Sequence, residues 1–248
     1  MQVTLIENPP YLPSDDFDNP DKLIKNHLPI YILHYTPNKE RKIHMNRQLA
    51  DHGLSATFIE TYDREVLTDF ELSYFDRSII ILPAISGIMK IVEAMKKLIH
   101  SDEKYALFID DDAIFAKTFN AEMKRTLENL PPGWDACWIG ESCSFHIERS
   151  EKSVTNVFLK SNENGRCSTV GRGSMYSMGS SRGMGSLMTK ECAKKILSIF
   201  TSGYKVRELG GDHWFNVVAR EKKLRVYWAE PTFLCGGSDF GIFKSNLR

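Results

Sequence analysis

The sequence predicts an α/β fold: a mostly parallel sheet flanked by helices, with an Asp-x-Asp element at the end of one strand. Three observations predict it. The apolar runs Ile30–Tyr35 and Ala56–Glu60 bracket a charged helical stretch, which is the strand–helix–strand order of a parallel βαβ unit. An amphipathic helical pattern from Ser86 to about His100 leads into a third apolar run, Tyr105–Ile109, short enough to suit a strand buried on both faces. That run ends in three consecutive carboxylates, Asp110, Asp111 and Asp112, and apolar residues resume at once with Ala113, Ile114 and Phe115.

Residues 1–27 hold Pro9, Pro10, Pro13 and Pro20 among Asp and Asn, and predict an irregular N-terminal arm packed on the surface. Residues 28–248 predict a single domain. Pro37 suits the first position of a helix that runs through Asn46 and Leu49 and stops near Gly53. Residues 65–82 show no clear pattern. Ser86 is the expected cap of the next helix, with Ile88, Ile91, Val92, Met95, Leu98 and Ile99 as its core face.

After the triplet, Phe119, Met123, Leu127 and Leu130 mark another helix, halted by Pro131 and Pro132. Trp134–Gly140 reads as a further buried strand. Gly171–Ser186 is too rich in Gly and Ser for a regular element, yet carries Arg172 and Arg182. It reads either as a disordered loop or as a mobile lid over a polar substrate. Thr189 caps a helix whose apolar face includes Cys192, Ala193 and Ile196. Gly210–Trp214 opens the last helix, to about Lys222, and Leu224–Tyr227 is the last strand, followed by Pro231 and a glycine-containing tail.

Composition narrows the function classes. Of the 248 residues, 42% are hydrophobic and 26% charged, ordinary for a water-soluble globular chain, and 32 basic residues balance 32 acidic ones. That balance argues against a nucleic-acid or anionic-membrane binder working through a general basic surface. Cys137, Cys143, Cys167, Cys192 and Cys235 are odd in number and lack Cys-x-x-Cys spacing, so reduced thiols are expected, with neither a disulfide framework nor a zinc site. No signal peptide pattern and no apolar run of about 18–20 residues is visible, and a cytoplasmic location is expected.

Three adjacent negative charges at a buried strand end are costly unless a cation neutralises them. The end of a strand in an open α/β sheet is also where ligands bind. Carboxylate oxygens suit Mg²⁺ or Mn²⁺, although a solvated acidic turn reads equally from the triplet alone. No Gly-x-Gly-x-x-Gly or Walker loop is present, so phosphates would depend on a metal more than on a glycine cradle.

Taken together, the order of these motifs over about residues 28–240 resembles glycosyltransferase family 25, the lipooligosaccharide and collagen galactosyltransferase-like enzymes. The matching elements are the first strand with Arg41 after it, Glu60-Thr-Tyr-Asp63-Arg for the Ala-Val-Asp-Gly turn, and Ile109-Asp110-Asp111-Asp112 for Leu-Glu-Asp-Asp. Trp134-Asp135-Ala-Cys-Trp-Ile139-Gly140, the Gly183–Leu197 stretch and Asp212 complete the series. The family's Leu-Ser-His is met only as Ile85-Ser86-Gly87, and no histidine follows His213, so the C-terminal metal-ligand role of some related transferases is vacant unless His213 fills it.

The resemblance implies a GT-A-type, Rossmann-like fold and transfer of a hexose, with inversion expected, from a nucleotide sugar, expected to be UDP-linked, to a glycan or protein hydroxyl. Residues 28–140 would form the nucleotide-sugar half and 141–248 the acceptor half. In that setting Asp112 and Asp110 are the expected Mn²⁺ or Mg²⁺ ligands and Asp111 a ribose contact. Tyr35, Asn38, Arg41 and Asp63 are expected donor contacts, and Asp212 the base that takes the acceptor's proton. Arg182, His213 and Trp214 are acceptor or lid candidates.

Each has a plainer alternative: a solvated helix charge for Arg41, a turn carboxylate for Asp63, a helix cap for Asp212 and core packing for Trp214. Two rival functions stay open. A haloacid-dehalogenase-like phosphatase would use Asp110 as nucleophile beside Mg²⁺. A non-catalytic sugar-nucleotide-binding module is the other, favoured only by the missing histidine.

Overall fold

A computed structural model describes residues 28–140, 154–156, 185–208, 210–238 and 240–246. The predicted N-terminal arm and Gly171–Met184 of the predicted lid lie outside these residues.

Strands β1 (Ile30–Leu33), β2 (Thr57–Ile59), β3 (Tyr105–Asp110), β5 (Ala136–Trp138), β6 (Val154–Asn156), β7 (Ser186–Thr189) and β8 (Val226–Ala229) form one sheet, in the order β2-β1-β3-β7-β5-β8-β6. β1 is parallel to β2 and to β3, and β5 is parallel to β8. β7 runs antiparallel between β3 and β5, and β6 is antiparallel at the edge. The mostly parallel α/β sheet expected from the sequence is therefore present, with strands from both stretches of the chain.

Side chains alternate across the sheet, as the strand period of two requires. Tyr31, Leu33, Ala106 and Phe108 face one core, shared with helices α3 (Leu82–His100), α5 (Lys190–Leu197) and α6 (Gly211–Glu221). Ile30, Ile32, Leu107 and Ile109 face the other, shared with α1 (Lys39–Asp51) and α4 (Phe119–Asn129). This explains the unbroken apolar runs: β1 and β3 are buried on both faces. On α3, Ile85, Ile88, Met95 and Leu98 are fully buried, each contributing about 1.5–3 kcal/mol. Leu98→Ala would cost about 2–5 kcal/mol.

Three local expectations differ. α3 begins at Leu82, a turn before Ser86, because Pro83 sits in its first turn, where a missing N–H costs nothing. Ser86 is buried one turn inside and donates its hydroxyl to the Tyr62 carbonyl at 2.6 Å. Pro37 lies in the turn before α1, which starts at Lys39 with Asn38 as its N-cap residue.

The apolar residues after the triplet form β4 (Ala113–Phe115), which pairs antiparallel with β9 (Leu234–Gly236) in a second, two-stranded sheet. A short helix, α2 (Asp69–Leu72), occupies the stretch that had no clear pattern. The three described cysteines, Cys137, Cys192 and Cys235, are buried and in no disulfide, and no helix among the described residues is long and apolar enough to cross a membrane.

Candidate functional site

Because β1, β2 and β3 are parallel and in register, their carboxyl ends coincide: Leu33 pairs with both Ile59 and Asp110. The loops after these strands therefore converge, bringing Tyr35, Asn38 and Arg41, the Thr61–Glu65 turn and the Asp triplet to one edge, where such sheets bind ligands.

The middle carboxylate is spoken for. Asp111 is 2% exposed and accepts from His34 Nδ1 at 2.8 Å, Tyr35 N at 3.2 Å and Arg41 Nη1 at 2.6 Å. Burial by itself raises the Asp111 pKa, but the His34 and Arg41 hydrogen bonds, the guanidinium charge and the Tyr35 N–H outweigh it and hold the carboxyl below its usual range. An ionised carboxylate only accepts, so His34 Nδ1 carries the proton. Asp111, expected at the ribose, thus joins β1, α1 and β3 instead. The second Arg41 nitrogen donates to the Lys244 carbonyl at 2.5 Å and lies 3.7 Å from Asp112 Oδ2.

Asp112 is held differently. Its Oδ2 accepts from Ser238 N at 3.1 Å, and its carbonyl accepts from Gly237 N at 2.8 Å. A Cβ at Gly237 would stand 2.6 Å from the Phe243 ring and 3.0 Å from the Asp112 carbonyl, so only glycine lets the segment come this close. Asp112 Oδ1 receives no hydrogen bond among the described residues. Beyond Ser238, Phe243 packs edge-on against His44 with ring centroids 5.0 Å apart. Burial lowers the His44 pKa, against the opposing pull of the Ala113 carbonyl and Asp112, and so favours a neutral ring. Asn38 Nδ2 donates to Asn246 Oδ1 at 2.6 Å.

Asp63 is likewise buried and fully engaged. Its Oδ1 meets Lys90 Nζ at 2.7 Å, and its Oδ2 accepts from Thr36 N at 3.3 Å and from the Thr36 hydroxyl. Tyr35 is half-buried; its hydroxyl donates to Glu65 at 2.5 Å, and the Arg64 guanidinium lies over its ring at 4.5 Å.

Asp110, half-buried, shares its strand face with Phe108. Phe108 and Leu33 line an apolar pocket with Trp138, Ile91 and Gly211, the first residue of α6. Asp212 is the second residue of that helix; its side chain lies outside the described part, as does Arg182. His213 is half-buried. Trp214 is fully buried, its ring 5.7 Å from Phe200, and it packs in the core beneath the apolar pocket that it helps to line.

His34, Thr36 and Lys90 belong to this constellation and carried no motif, while Arg64 and Ser86 lay within matched stretches without being singled out as site residues. One signal existed: Ser86 and Lys90, four residues apart, are the two polar positions within the buried stripe of α3.

Among the described residues no group of three His, Cys, Asp or Glu side chains is placed to hold a metal ion. Mg²⁺ and Mn²⁺ sites on substrate phosphates need only one or two carboxylates. Asp112, whose Oδ1 receives no hydrogen bond among the described residues, fits that pattern with Asp110 beside it in the chain; Asp111, with both oxygens bonded, does not.

No family model matches the sequence, and no curated protein matches it. Solved structures of similar outline include a glycosyltransferase involved in the glycosylation of the major capsid of PBCV-1. Its TM-score is 0.46 at 9% identity, over 85% of this chain and 94% of that one. Mouse xyloside xylosyltransferase 1 in its apo form gives a TM-score of 0.42 at 16% identity, over 80% of this chain and 70% of that one. At these values the likeness carries no inference about activity.

Proposed function

We propose that this chain is a glycosyltransferase that moves a hexose from a nucleotide sugar, UDP-linked, to a hydroxyl of a glycan or protein, with inversion. One observation supports it above the others: a carboxylate cluster at the end of a parallel strand in which Asp111 is neutralised from within, while Asp112 Oδ1 receives no hydrogen bond among the described residues. A phosphatase would use Asp110 as nucleophile, and no structural feature favours that use.

In this reading Asp110 and Asp112 hold a divalent cation, which neutralises charge on the departing diphosphate. Arg41, fixed by Asp111, adds positive charge beside Asp112. Asp212, at the start of α6, takes the acceptor hydroxyl's proton as the new C–O bond forms and the anomeric bond to diphosphate breaks.

The test is incubation with a panel of nucleotide sugars, with Mn²⁺ or with chelator. Metal-dependent release of UDP from one donor is the expected result. Silence across the panel, with p-nitrophenyl phosphate cleaved, would transfer the site to the phosphatase class.

A further inference from the structure

The turn leaving β2 has an unusual shape, and α3 holds it there. Tyr62 has φ of 63°, a left-handed conformation that a bulky residue keeps only when its surroundings impose it. Lys90 Nζ donates to the Thr61 carbonyl at 2.6 Å and to Asp63 Oδ1 at 2.7 Å, and Ser86 donates to the Tyr62 carbonyl at 2.6 Å. Three consecutive residues of the turn are thus gripped by two side chains one helical turn apart. Lys90 is 3% exposed. A lysine is almost never buried unless paired, and an apolar residue would serve the core as well, so the ammonium is placed for the turn.

The consequence falls on Arg64. With Asp63 turned inward to Thr36 and Lys90, the next residue is directed outward, over the Tyr35 ring, with Nη1 donating to the Asn246 carbonyl at 3.2 Å. The guanidinium lies over the Tyr35 ring, donates from Nη2 to the Tyr35 hydroxyl at 3.0 Å and from Nε to Glu65 at 2.9 Å, and its side chain remains about one-third exposed.

We propose that Ser86 and Lys90 are positioning residues for the nucleoside of the donor: they fix the 61–64 turn so that Arg64, backed by Tyr35, presents a flat cationic platform on which a nucleobase stacks. The inference rests on the nucleotide-sugar reading. Lys90 itself touches no donor atom, and its effect passes through Asp63 and Arg64.

Binding of UDP, GDP, CDP and inorganic pyrophosphate to the full chain, measured by calorimetry with Mn²⁺ present, separates base from phosphate. Lys90→Met is expected to weaken the preferred nucleoside diphosphate about tenfold while pyrophosphate affinity holds within about twofold. Lys90→Arg, which keeps a donor to both oxygens, recovers most of the loss, and Arg64→Ala reproduces it. Ser86→Ala, the milder change if Lys90→Met fails to fold, shows the same split at about threefold.

Equal weakening of nucleotide and pyrophosphate, or no weakening, overturns the positioning role. Amide exchange across 60–66 supplies a readout free of any ligand: it accelerates in Lys90→Met, and unchanged exchange likewise overturns the clamp. A wild type that binds none of the nucleoside diphosphates, with normal exchange protection, overturns the nucleotide-sugar reading and the inference with it.

Discussion

The two sides of the β3 strand end are built on opposite plans. Toward α1, charge meets charge: Asp111 with His34 and Arg41, and Asp112 with Arg41 and the backbone of Ser238. Toward α3 and α6, Leu33, Phe108, Trp138 and Ile91 line an apolar pocket, and a methyl group at Gly87 would meet no atom within 4 Å. The difference teaches how one acidic triplet serves two ends. Asp111 is spent on a buried charged frame, which Asp112 joins through one oxygen, while Asp110 shares its strand face with the apolar side.

The largest effect expected is on turnover. Asp112→Ala should reduce metal-dependent transfer by two orders of magnitude or more, on the order of 3–4 kcal/mol of lost transition-state stabilisation. The melting temperature should move little. Unchanged turnover would show that the carboxylates assigned to the metal are the wrong ones.

Arg41→Met should do the reverse and destabilise the fold, because it strands a buried carboxylate; about 3–5 kcal/mol in urea unfolding is expected. A loss under about 1 kcal/mol would mean that Asp111 finds solvent and that the charged side is not a frame.

Acid should separate the sides further. The folded Asp111 pKa lies below its unfolded value, so its contribution is complete above the unfolded pKa of about 3.9 and is lost as pH falls through the folded one. Urea midpoints measured downward from pH 5 should fall more steeply in the wild type than in Asp111→Asn; parallel curves would remove the carboxylate from the frame.

The smallest effect belongs to the open side. Gly87→Ala, inside α3 with free space around it, should stabilise by about 0.5–1 kcal/mol in thermal unfolding and leave donor affinity unchanged. A drop in affinity would instead place substrate against that surface of the helix.

Much of the frame was legible in the sequence. β1, β3, α1, α4, α5 and α6 follow from apolar period and turn residues, because each is long or apolar enough for local pattern to decide. β4 and β9 were not, since three-residue strands are defined by a distant partner more than by their own residues. Ser186 was absorbed into a Gly/Ser-rich run although it begins β7, where pairing with β3 and β5 overrides local propensity.

At the site, the triplet and Arg41 stood out, but the division of labour among three identical carboxylates could not. It depends on which one the folded chain brings to His34 and Arg41. Nor does the local pattern distinguish Lys90 from the other lysines of α3; only the fold turns it inward onto Asp63.

The pairing of β4 with β9 also bears on the order in which the molecule is made. Ala113–Phe115 must wait for Leu234–Gly236, roughly a hundred residues or more later in the chain, and closing so long a loop is entropically late work. The same junction delivers Gly237 and Ser238 to Asp112. A nascent chain can therefore complete β1, β2 and β3, and even pair Arg41 with Asp111, long before Asp112 acquires its final surroundings. The surroundings of Asp112 would then form late, only once Leu234–Ser238 has been made, rather than growing with the sheet.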